Sequence, residues 1–169
     1  MRIFAVGIAL CLAACTPTTA SDGAGTASVG AELSHQVLRP GDFQSFVKNW
    51  NSDAPLCVRI ASAADWDRYF GAAAGNGPPS KPFEPDAALW RTHTGYLLAR
   101  GANAADDFDS LLTVQSVRRQ GSGVQVDTAF NDGNQSFQVN TYVLVALEKP
   151  VSGNVTFTDR GRPVCTVRG

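Results

Sequence analysis

The scarce reactive side chains are four cysteines (Cys11, Cys15, Cys57 and Cys165) and two histidines (His35 and His93). Closely spaced pairs of such groups are the usual sequence mark of a metal centre, and the chain has no Cys-x-x-Cys and no His-Glu-x-x-His. It also lacks the Gly-x-Ser-x-Gly elbow of serine hydrolases. Asp106, Asp107 and Asp109 do not have the ligand spacing of a calcium loop. Gly75-Asn76-Gly77 runs into Pro78-Pro79, which removes the helix start that would hold a phosphate. The pattern therefore predicts no catalytic residue, no metal and no cofactor. The competing reading is an envelope hydrolase whose site near His93 unites that side chain with Ser122 and an aspartate brought in by folding.

One thiol stands in a different setting. Met1-Arg2 opens an apolar run from Ile3 to Leu12, and Leu12-Ala13-Ala14-Cys15 closes it with small residues directly before a cysteine. This resembles the processing site of bacterial lipoproteins, in which the cysteine thiol carries the lipid. Ile3 to Ala14 is too short to span a bilayer, which takes about 20 apolar residues. Each buried acyl methylene contributes about 0.8 kcal/mol, so two or three chains on Cys15 would fasten the protein to a membrane. Thr16 in place of aspartate after the cysteine favours the outer membrane, facing the periplasm. The expected organisation is a signal peptide over 1–14, a lipidated Cys15 with a flexible tether over 15–32, and one globular domain over 33–169.

The tether is read from composition: Thr16 to Gly30 is Thr, Ala, Ser and Gly with little that can pack. Its random-coil reach is on the order of 20 Å. Across the whole chain 14 basic residues face 15 acidic ones, giving a formal charge of −1. No basic field for nucleic acid exists in that balance. With Cys11 removed and Cys15 acylated, Cys57 and Cys165 remain, each in a short strand-like segment, and an oxidising periplasm favours their pairing over two buried free thiols. Closing a loop of about 100 residues would stabilise the fold by up to about 4.7 kcal/mol in the chain-entropy description.

The elements that position these groups read mainly as strands. Val124, Val126, Thr128 and Phe130 alternate with polar or small residues, as do Phe137, Val139, Thr141, Val143, Val145 and Leu147. Asn131-Asp132-Gly133-Asn134 lies between the two runs, and its Asp-Gly pair predicts a hairpin with the named residues on one buried face. Gly95 to Arg100, Leu111 to Arg118, Asn154 to Thr158 and Pro163 to Val167 add further strands, the last two around a turn at Gly161. One helix is predicted over Ala63 to Gly71, capped by Ser62 with Asp65 in its first turn, and Ala63, Trp66, Tyr69 and Phe70 share its core face. Phe43, Phe46, Val47 and Trp50 fit either a helix or a strand. Gly71 to Asp86 is a proline-rich crossing, and Lys81, Phe83 and Trp90 near its end are the candidate partner-binding residues. The fold class is α+β: a mostly antiparallel sheet, sandwich-like or a partly open barrel, with one short helix packed on it.

The order of these motifs resembles the C-terminal domain of PrcB-type protease-complex subunits. The match is carried by Ala64-Asp65-Trp66 to Tyr69-Phe70, Pro82-Phe83 with Asp86, Gly95-Tyr96 and Thr141-Tyr142-Val143, and spans about Leu56 to Phe157. It departs where Glu84-Pro85 separates Phe83 from Asp86. The resemblance implies a non-catalytic envelope domain that binds and stabilises an exported protease, and transfers no catalytic residue. A structural lipoprotein that binds cell-wall polymer is the third reading.

Overall fold

The computed structural model describes residues 30–38, 50, 53–70 and 85–169. Cys15 and its tether, the segment from Phe43 to Lys48, and most of the proline-rich crossing lie outside them. Eight strands form two four-stranded sheets. β1 (His35–Leu38), β2 (Leu56–Ile60), β3 (His93–Asn103) and β6 (Gln138–Glu148) make the first, in the order β1-β6-β3-β2 and antiparallel throughout. β4 (Leu112–Gln120), β5 (Gly123–Phe130), β7 (Asn154–Asp159) and β8 (Arg162–Arg168) make the second, in the order β4-β5-β7-β8. The α+β class and the sandwich-like sheet arrangement are as expected.

Residues of alternate parity fill the space between the sheets. Tyr96, Leu98, Val143, Val145 and Leu147 point in from the first sheet, and Leu112, Val117, Val124, Val126, Val155 and Phe157 from the second. The first sheet is also covered on its other face. There Ile60, Leu97, Ala99 and Leu144 pack under Trp66, Phe70 and Trp90. Helix α1 (Ala63–Tyr69) delivers that layer: the Ser62 hydroxyl accepts from the Asp65 amide, Asp65 accepts from the Ser62 hydroxyl and the Ala61 amide, and Trp66 faces the sheet. The predicted cap and core face are both present. Trp66 stacks on Phe70 at a centroid distance of 4.0 Å, and Phe70 meets Tyr142 edge-on at 5.5 Å. A single helical turn, α2 (Leu89–Thr92), leads directly into β3.

The expected hairpin over Val124 to Glu148 does not form. β5 pairs with β4 and β7, whereas β6 pairs with β3 along its whole length in the other sheet. The reason lies in the stretch Val143-Leu144-Val145-Ala146-Leu147, which is buried on both faces. Such a strand belongs in a sheet with apolar layers above and below it, and β3, with Leu97 and Leu98 both fully buried, has the same requirement. The Asp132-Gly133 turn serves a crossing between sheets. The Gly133 amide donates to Asn103 O, Gln135 N to Ala104 O and Ala104 N to Phe137 O, while Asp132 accepts from the Asn103 amide at 2.6 Å and from its side chain at 3.0 Å. A Cβ on Gly133 would lie 2.1 Å from Ala104 O, so the crossing needs glycine for close backbone approach. Phe137, expected on the buried face, is 51% exposed at the end of the crossing. Because the chain makes one traverse of the first sheet between β5 and β7, it returns in its former direction, and β5 and β7 pair parallel. β7 and β8 form the expected hairpin, turning at Arg160 and Gly161, both with positive φ.

The two openings of the sandwich are tied differently. Along one side, Cys57 of edge strand β2 is disulfide-bonded to Cys165 of edge strand β8, with the Cα atoms 6.3 Å apart. Along the other, the chain switches sheets: Arg119 N donates to Ala31 O and Leu33 N to Val117 O on the edge of β4, after which β1 pairs with β6. At one end Arg100 of β3 reaches across to Asp159 of β7 at 3.0 Å and lies 3.8 Å over the Phe130 ring.

Two outcomes follow. Val143→Asp places an unpaired carboxylate in the centre of a fully buried layer, at a cost comparable with the whole stability of a domain of about 5–15 kcal/mol. Circular dichroism melting should therefore show no cooperative transition, and a soluble, cooperatively melting variant would contradict this register. Cys57→Ser with Cys165→Ser should lower the free energy of unfolding in urea by about 2–4 kcal/mol, and the wild type in dithiothreitol should match it.

Candidate functional site

Cys15, Lys81 and Phe83 lie outside the described residues. Trp90, expected as a docking residue, is only 7% exposed and packs against Trp66 at 6.5 Å. Its indole belongs to the layer over the first sheet, because Gly95 leaves it room on β3: a Cβ there would sit 3.3 Å from the ring. The Trp90 indole nitrogen finds no hydrogen-bond acceptor among the described residues. Asp86 turns the chain into α2 by accepting from the Ala88 amide at 2.8 Å.

His93 and Ser122 do not meet. His93 Nδ1 lies 2.8 Å from the hydroxyl of neighbouring Thr92, and its partner across the ladder is Glu148. Ser122 occupies the two-residue turn between β4 and β5, beside Gly121 with positive φ. His35 Nδ1 contacts Leu33 O at 2.9 Å. Two of the acids in the β3–β4 connection hold loop structure: Asp107 caps the 3-10 turn Phe108–Ser110 by accepting from the Asp109 amide, and Asp106 accepts from Gln135. Among the described residues no three His, Cys, Asp or Glu side chains are placed to share a metal ion, and no helix is long and apolar enough to cross a membrane.

The most elaborate polar arrangement was not singled out from sequence. Asp127 sits on the outer face of the second sheet, its side chain 14% exposed. Ser116 donates to one carboxylate oxygen at 2.8 Å and Arg118 donates to the same oxygen; Gln125 donates to the other at 2.6 Å, joined there by Thr158. Burial alone would raise its pKa, but the hydrogen bonds from Thr158, Arg118, Gln125 and Ser116 outweigh it and hold the carboxyl well below the usual range. With four donors in place, this carboxylate is a structural acceptor that joins three strands. The available signal was an acid at the centre of the alternating run Gln125-Val126-Asp127, on its outward parity. A second buried polar group, the Tyr96 hydroxyl, lies within the core without a hydrogen-bond partner among the described residues. Burial pushes its pKa up, and the Arg59 side chain, opposite it on β2, works against that shift.

No protein-family model matches this chain, and neither any curated protein nor any solved structure shows significant similarity to it.

The Asp127 cluster predicts an acid limit to stability. Its folded pKa is depressed, so its contribution is complete above the unfolded value near 3.9 and is lost as pH falls toward the folded value. Asp127→Asn should cost about 1–3 kcal/mol at neutral pH, because the two donors on one of the oxygens then face an amide NH₂. Urea titrations between pH 7 and pH 2.5 should show a shallower acid loss for the variant than for the wild type.

Proposed function

We propose that this protein is a lipid-anchored envelope domain that binds another exported protein and catalyses no reaction itself. The observation that carries the reading is the disposition of the thiols. Cys57 and Cys165 are consumed by a bond across the two sheets, the kind of covalent closure that persists in an oxidising compartment. Cys15, behind Leu12-Ala13-Ala14, then stands as the cysteine with the sequence context for acylation. The resemblance to PrcB-type subunits makes an exported protease the first partner to test, and the outer membrane the first address.

Metabolic labelling with palmitate should mark the wild-type product and leave Cys15→Ser unmarked. Photocrosslinking from position 83 in intact cells should yield a discrete adduct with an exported protein. Labelling that is absent, or that survives Cys15→Ser, would remove the anchor; the lack of any discrete adduct would remove the partner.

A further inference from the structure

A cavity of about 260 Å³ opens at the end of the sandwich where β4 and β6 finish and β5 begins. Its apolar lining is Leu33, Val124, Leu147 and Val151, with Val124 and Leu147 belonging to the buried core between the sheets. Arg119 and Lys149 stand at its margin, together with Glu148 and Ser34. The net charge of that lining is positive, two cations against one carboxylate. Among the described residues neither cation is saturated: Lys149 uses one of its three donors on Trp90 O at 2.6 Å, and Arg119 makes a single long contact of 3.4 Å to the Ser152 hydroxyl, leaving the planar guanidinium donors for another acceptor.

We infer that this cavity binds the C-terminal carboxylate and last aliphatic side chain of a partner polypeptide. A guanidinium fork and an ammonium group match a carboxylate in charge, and the guanidinium also matches it in geometry. The apolar lining below them matches an aliphatic side chain. The volume lies just under the range of about 300–1,000 Å³ typical of drug-sized ligand sites, and so suits one terminal residue. Capture of a chain terminus is an established mode of peptide recognition. The assignment rests on the protein-binding reading above and names the chemistry of the recognised element. Arg119 is also tied through its backbone to Ala31, so the cavity lies beside the point where the chain enters the domain.

The test uses the full-length chain in detergent micelles and three probes: N-acetyl-Ala-Ala-Leu with a free carboxylate, the same peptide as its C-terminal amide, and hexanoate. Calorimetry should show binding of the free acid and at least about tenfold weaker binding of the amide. Arg119→Gln and Lys149→Gln should each weaken the acid by about tenfold, Arg119→Lys should weaken it less, and Arg162→Gln, outside the cavity, should leave it unchanged. If Lys149→Gln fails to fold through loss of its bond to Trp90 O, the Arg119 variants decide the outcome. Equal binding of acid and amide, binding of neither, an Arg119→Gln variant that binds as the wild type does, or binding of hexanoate without the peptide would overturn the assignment. A partner adduct from position 83 that persists despite any of those results would leave the protein-binding reading standing and remove only this site.

Discussion

The eleven-residue ladder between β3 and β6 is the constraint on which the rest of the architecture depends. Both strands are central in their sheet and apolar on both faces, so each must have a packed layer on either side. One layer is the interior shared with the second sheet; the other is the aromatic cover of Trp66, Phe70 and Trp90. Committing β6 to β3 sends the chain out of the second sheet after β5 and back again for β7, which makes β5 and β7 parallel and leaves β2 and β8 at facing edges. The disulfide then joins strands that the ladder has already brought alongside each other.

The parts of this fold that depend on neighbours in sequence were legible beforehand. Alternation located β5 and β6, Ser62 with Asp65 located the start of α1, and the turn at Gly161 located the final hairpin, whereas nothing in the local pattern singled out β1. Pairing was less legible. Alternation through Val124 to Phe130 and Val139 to Leu147 with Asp132-Gly133 between them satisfies every local rule for a hairpin, yet Leu144 and Ala146, on the supposedly outward parity, are fully buried. Those two residues held the contrary signal, since a half-exposed strand has no need of them. The Asp127 arrangement was hidden for another reason: its donors come from positions 116, 118, 125 and 158, and the most distant of them becomes adjacent only through the parallel pairing of β5 with β7.

The two outer surfaces divide the labour of the molecule. The first sheet spends its outer face on tryptophan and phenylalanine, which makes Trp90 a packing residue despite its place at the end of the proline-rich crossing. The second sheet carries Ser116, Arg118, Gln125, Asp127, Thr156 and Thr166 outward, bonded to one another across strands. Arg119, Glu148 and Lys149 instead gather at the end of the sandwich, above the core and near Ala31.

The bond between Cys57 and Cys165 also carries a temporal meaning. Protein synthesis runs from the amino terminus, and the second cysteine emerges 108 positions after the first. The cross-link can therefore close only after every strand from β3 to β7 has been made.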